Sequence, residues 1–266
     1  MAPTKLYLKN KAARQEVKAK TMSGVRKPMD TAPCSTFATE VVTVRVGPHN
    51  IGFIVHKDVL VKNSDYMKAT MSKPWAGILS INDHDPVVFN IYVQYLYTGK
   101  IFSVSSITTP PAPHLRTTVI SEEDEWALLI DLYRLGDYLL DFKFINTVAD
   151  AMVEKWRADH QFPIGYAAKV YEGSVSGCPL RKLIVDFHVH LGLGKHIDHG
   201  SLDTGEGTAE FVIDLVREFY ASKGAIWETD AVEPWDTDPC RYHVHSGKCL
   251  TGFCRYRDHL ATSSKL

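Results

Sequence analysis

The sequence predicts an α+β chain: a short β-sheet with a cluster of α-helices, followed by a mainly helical C-terminal region. Three observations predict it. Residues 41–56 alternate apolar and polar on either side of a Gly-Pro turn, and the stretch after Asp85-Pro86 is apolar almost without interruption. Beyond residue 120 the apolar residues recur at helical spacing.

VVTVRVG opens the ordered part. Val42, Val44 and Val46 alternate with Val41, Thr43 and Arg45, which gives a strand with one buried face. GPHN turns the chain into IGFIVH, so the two strands form a hairpin. From Asp58 to Met71 the chain is helical in character, with Val59, Leu60, Tyr66, Met67 and Met71 supplying apolar contacts, and ILSIN (78–82) is a third short strand. Asp85 is a good N-cap, and Pro86 takes the first helical position, where its missing N–H costs nothing. The apolar run behind them predicts a helix buried around most of its circumference, closed by Gly99 as a left-handed C-cap. Residues 103–120 are polar and interrupted by prolines, which predicts a mobile insertion. Ser121 and Asp124 can then form a capping box for a helix striped by Trp126, Leu129, Ile130 and Tyr133. A second helix carries Ile145, Val148, Ala149, Met152 and Trp156, and a later one Phe211, Val212, Leu215, Val216 and Phe219.

With 45% hydrophobic and 23% charged residues, a chain of 266 can bury a sizeable core. The net charge of -1 argues against a global attraction to nucleic acid or to an anionic membrane, and no apolar run approaches the roughly 20 residues of a membrane-spanning helix. The N-terminal stretch has no apolar h-region, so no secretory signal is expected. Its Lys5, Lys9, Lys11, Arg14, Lys18, Lys20, Arg26 and Lys27 are offset by Glu16 and Asp30 alone, which predicts a disordered basic arm over residues 1–36. The five cysteines, an odd number without secretory context, are expected as thiols in the cytoplasm, the nucleus or both.

Phe53, His56, Lys57 and Leu60 fit F-x-x-H-[KR]-x-x-L, and Ser64, Tyr66 and Met67 fit the S-x-[YF]-[FM] that follows. After the third strand come Asp85, Phe89, Val93, Tyr95, Leu96, Tyr97, Thr98 and Gly99, a D-x-x-x-F helix ending in Y-T-G. In this order the elements resemble the BTB/POZ domain, closely over residues 38–102 and more loosely over 122–157. The following VYEGSVSGCPLRKLIVDF is similar to the C-terminal region of fungal BTB-domain proteins. The resemblance implies a BTB/POZ fold over residues 37–157; the residues beyond it read as a helical extension over 158–230 and a Cys/His-containing tail over 231–266. It also implies a non-enzymatic protein–protein interaction module, an adaptor or scaffold in ubiquitin-ligase or transcription-related work, with self-association among its partners. Three departures bear on this. Where cullin-binding members carry a hydrophobic-x-Glu motif the chain reads Trp75-Ala76-Gly77, which argues against a cullin partner. Glu40 stands one residue from the family's early acidic position, so no charged pocket with Lys57 is expected. The segment that would exchange strands in a dimer is polar and basic here.

Two stretches raise the question of metal chemistry. LIVDFHVHLGLGKHIDHG carries His188, His190, His196 and His199, and D-x-H-x-H on a barrel strand would suit a metal-dependent hydrolase. Only residues 191–266 follow, however, against about 200 or more in a (β/α)₈ barrel with its ligands downstream. Pro179 and the spacing Leu180, Leu183, Ile184, Phe187, Leu191 fit a helix, on which His188 and His190 stand on opposed sides. The hydrolase stays as the alternative, and nucleic-acid contact through the basic arm as a further one. DPCRYHVHSGKCLTGFC places Cys240, His243, His245, Cys249 and Cys254 close in sequence. These residues suit a structural zinc site; the competing reading is a tail that packs through Tyr242 and Phe253. His56, with no second ligand type nearby, reads as a hydrogen-bonded core histidine. No Gly-rich phosphate loop, serine elbow or catalytic carboxylate pair is present, so no catalytic residue is expected.

Overall fold

The computed structural model describes residues 40–72, 78–104, 124–192, 207–222 and 233–245. β1 (Val41–Val46) pairs antiparallel with β2 (Ile51–His56), Val42 opposite Val55 and Val44 opposite Phe53. β3 (Ile78–Ile81) lies parallel to β1 on its other side, so the sheet order is β2–β1–β3. The alternation seen in the sequence buries Val42, Val44, Val46, Val55 and Ile81 on one face. The basic arm at 1–36, all of the 103–120 insertion except Ser103 and Val104, Trp75-Ala76-Gly77 and the capping side chains of Ser121 and Asp124 lie outside the described residues.

The stretch from Asp58 to Met71 is two helices, α1 (Lys57–Asn63) and α2 (Asp65–Met71), because Ser64 breaks it. Ser64 is extended (φ -118°, ψ 119°), and its hydroxyl accepts the N–H of Met67 at 3.0 Å as the N-cap of α2. The same hydroxyl donates to the carbonyl of Leu139, across a sequence gap of 75 residues. A buried serine thus satisfies one orphan donor and one orphan acceptor at once. α3 (Pro86–Thr98) starts where Asp85 accepts the N–H of Val87 and ends at Gly99, whose φ of 68° only glycine adopts freely.

α4 (Asp124–Leu139) and α5 (Phe142–Asp159) form a helical hairpin. They approach so closely that a Cβ on Gly136 would lie 2.8 Å from Ile145 and 2.9 Å from Phe144. Asp141, fully buried, caps α5 by accepting the N–H of Phe144 at 2.9 Å, and it accepts the hydroxyl of Tyr92 at 3.1 Å. Burial is the stronger effect on its carboxyl and pushes the pKa up from 3.8 to about 6, against the lowering by those hydrogen bonds and Lys143. The ring of Phe144 meets Tyr92 and Tyr95, joining α5 to α3.

The C-terminal part comprises α6 (Ala167–Glu172), α7 (Pro179–Leu191), α8 (Thr208–Ala221), α9 (Pro234–Thr237) and a 3₁₀ turn at Pro239–Tyr242. Arg181 binds these pieces together. It lies over the Tyr171 ring, donates to the Tyr171 carbonyl and the Ser174 hydroxyl, and pairs with Glu210 of α8. Trp235 of α9 is buried against Phe187 of α7 and Trp156 of α5.

Ser64→Ala removes a cap and strands the Leu139 carbonyl, so urea unfolding should show a loss of about 1–3 kcal/mol. Asp141 gives the stability curve a sign. Its folded pKa lies above the usual 3.8, so its contribution is present below about pH 4 and lost as pH rises through about 6. Asp141→Asn keeps a capping oxygen and has no proton to lose. The unfolding free energy of the wild type relative to this variant should fall by about 2–3 kcal/mol between pH 4 and pH 7.

Candidate functional site

The motif residues of the N-terminal half build the fold. Leu60 and Met67 are fully buried, and Phe53 packs edge-on against Phe89 at 5.1 Å. The Tyr97 hydroxyl accepts the backbone N–H of His56 at 3.1 Å and stands 2.7 Å from its Nδ1, so this histidine is a hydrogen-bonded structural residue, as its context in the sequence implied. The hydroxyls of Tyr66 and Tyr138 are 3.1 Å apart, and that of Tyr95 is 3.4 Å from Thr147. One expectation is overturned: Lys57 Nζ pairs with Glu40 at 2.8 Å. The N–H of Lys57 bonds the carbonyl of Glu40, so the β1–β2 ladder runs one step past both strands and carries the two side chains together. A count along the sequence does not reveal that extra step.

The outward face of the sheet is where these elements meet solvent. Ile54, Thr43 and Ile78 stand in one row across β2, β1 and β3, and Gly52, Arg45 and Ser80 stand in a parallel row. Ile54 is 73% exposed, Val41 53% and Ile78 48%, so the first row is an uncovered apolar strip. Arg45 is exposed in the second row, and no carboxylate among the described residues pairs with it. Apolar contact with a cation at one edge is a pattern suited to a protein surface.

The second assembly lies at the C-terminus. Asp186 of α7 has no exposed surface, and Arg241 grips both its oxygens, Nε at 2.8 Å and Nη2 at 3.2 Å. Tyr242 donates to it at 2.6 Å, and Arg241 also pairs with Glu218 of α8 at 3.0 Å. Burial and the facing carboxylate raise the Tyr242 pKa, while pairing with Asp186 keeps Arg241 charged despite its burial. On the far side, Asn146 of α5 donates to the Val244 carbonyl at 3.1 Å and accepts its N–H at 2.7 Å. Asp150, one turn further along α5, lies 3.1 Å from Nε2 of His243. The segment 240–245 is therefore held from two sides.

This clasp brings Cys240, His243 and His245 together, with one ligand atom of each within 4.8 Å of the other two. Cys249 and Cys254, the other cysteines of the sequence pattern, lie outside the described residues, as does Phe253; Tyr242 is buried as an anchor. Burial lowers the pKa of His245, and the nearby His243 lowers it further, against a hydrogen bond to the Cys240 backbone. Neutral imidazole and thiolate are metal-binding forms.

The histidines of α7 are not brought together. His188 Nδ1 lies 2.7 Å from the carbonyl of Ile184, with the ring between Phe162 and Phe211. His190 faces Trp235 and Glu233, and burial lowers its pKa. A strand bearing both on one face, which the hydrolase alternative needs, is replaced by a helix; His196 and His199 lie outside the described residues. A cleft of about 650 Å³ beside α5 contains Glu125, Asp150, Glu154 and Asp159, and within it Lys155 pairs with both Glu125 and Asp159. Asn146, Asp150 and Arg241 were not singled out from the sequence, and Asp186 entered only as the aspartate of the D-x-H-x-H pattern. Asp186 alone left a signal, a carboxylate set between apolar Val185 and Phe187, which burial would oblige to find a cation.

The BTB/POZ domain family model matches residues 39–110. Among solved structures, the BTB domain of zebrafish PATZ1 is similar, with 19% sequence identity and a TM-score of 0.30 over 57% of this chain and 99% of that one. No curated protein matches the chain. With the β1–β2 hairpin, the two short helices, the third strand and the Pro86–Thr98 helix inside the matched residues, the chain carries a BTB/POZ domain.

Proposed function

We propose that the chain is a non-enzymatic adaptor or scaffold that works through its BTB/POZ domain in the cytoplasm or the nucleus. The observation that carries this reading is the uncovered row Ile54–Thr43–Ile78 with Val41 beside it, on a domain whose family mediates protein–protein contacts. Covering apolar surface is favourable by about 25 cal/mol per Å² before the costs of association. Arg45 in the adjoining row, which pairs with no carboxylate among the described residues, adds a preference for a carboxylate. The partner is therefore a protein segment that presents apolar side chains flanked by an acid. A cullin partner is not favoured, since Trp75-Ala76-Gly77 lacks the acid of the cullin-binding motif. Among the described residues no helix is long and apolar enough to cross a membrane.

Ile54→Asp and Arg45→Glu change exposed side chains, so each variant should keep the wild-type melting temperature within about 2 °C. Affinity capture with quantitative mass spectrometry should show a set of proteins enriched on the wild type and depleted at least about tenfold on Ile54→Asp, a loss of about 1.4 kcal/mol. Light scattering on the same samples checks self-association, which should fall with the same substitution if a second copy is the partner. Identical capture and identical mass for the wild type and both variants would remove the sheet face as the contact surface.

A further inference from the structure

The Cys240, His243 and His245 cluster is not used by the sheet face, and its geometry goes beyond packing. Cys240 sits in the 3₁₀ turn, and His243 follows it in extended conformation with His245 two residues on, so three donors of the sulfur and imidazole types preferred by zinc converge from one short segment. The second nitrogen of each ring has a defined part. Nε2 of His243 lies 3.1 Å from Asp150, and a carboxylate there fixes the ring and leaves Nδ1 with the lone pair that a metal needs. His245 shows the reverse arrangement. Its ring bonds the Cys240 backbone, while Nε2 is buried from solvent and meets no hydrogen-bond partner among the described residues. A buried ring nitrogen without a partner is costly unless something else occupies its lone pair. Ligand atoms around tetrahedral zinc stand about 3.5 Å apart, so side-chain rotations of about an ångström close the present spread.

We propose that Cys240, His243 and His245 bind one zinc ion, with Asp150 as the residue that positions His243. The thiol proton passes to solvent as the sulfur binds. The ion's two positive charges are then met by one thiolate and one carboxylate, while Arg241 is already neutralised by Asp186 and Glu218. No fourth ligand among the described residues joins the three. The role is structural: the ion would lock the segment that Asn146 and Asp186 hold from either side.

The test uses the full chain, purified without a histidine tag and exposed to zinc or cobalt before dialysis. The expected result is one zinc per chain by elemental analysis and a thiolate-to-metal charge-transfer band in the cobalt form. Chelator should lower the melting temperature by several degrees. Cys240→Ser should lose the charge-transfer band, and His245→Ala should lose stoichiometric zinc. Asp150→Asn should keep the band while its zinc affinity, measured by competition with a chromogenic chelator, falls about 10–100-fold. Wild-type protein that is folded by circular dichroism yet holds no stoichiometric metal and shows no charge-transfer band overturns the proposal. So does zinc retained equally by Cys240→Ser and His245→Ala. Neither result depends on a variant failing to fold, and neither touches the sheet-face reading.

Discussion

One helix has to satisfy two interiors at once. The N-terminal end of α5 gives Phe144 to Tyr92 and Tyr95 of α3, and Gly136 lets α4 lie directly against it. Other positions of the same helix face the C-terminal part: Asn146 and Asp150, one turn apart, hold Val244 and His243, and Trp156 packs on Trp235. Because residues four apart share a helix face, the placement of His243 and Val244 is fixed by the same rotation that fixes the packing of Phe144. A turn of α5 about its axis would disturb both.

Asp186 supplies the electrostatic half of that arrangement. A carboxylate with no exposed surface costs several kcal/mol to desolvate, and the cost is offset only by excellent geometry. The two-point grip of Arg241 and the short bond from Tyr242 provide it, and both groups come from a segment about 55 residues further on. Residues 240–245 are thus part of the C-terminal core. Their attachment explains how Cys240, His243 and His245, side chains of types that can ligate a metal, come within reach of one another.

Local signals in the sequence were legible because their physics is local. Val42, Val44 and Val46 announce a half-buried strand by alternation, and Asp85, Pro86 and Gly99 punctuate α3 through capping and backbone preference. The BTB/POZ domain followed from the same residues, and the match at 39–110 bears it out. The run from Asp58 to Met71 was expected as one helical stretch, but Ser64 breaks it: its hydroxyl caps the second helix through Met67 and also reaches Leu139, far along the chain. Glu40 and Lys57 meet through one extra ladder bond, which a residue count does not disclose. The cysteine and histidine cluster was visible as composition. The neighbours that orient it, Asp150 and Asn146, lie more than 90 residues upstream and carry no mark of their own.

The sheet places β1, the first strand among the described residues, in the middle. Its antiparallel neighbour returns across residues 47–50, whereas its parallel neighbour is separated from that strand in sequence by residues 57–77. The two sides of β1 are therefore unequal in chain entropy, since the longer closure must be completed before the β1–β3 bonds can form. Local opening is easiest where the closing loop is longest and the strand shortest, and both conditions fall on the four-residue β3. Thermal fraying would begin on that side of the sheet, while the hairpin outlasts it.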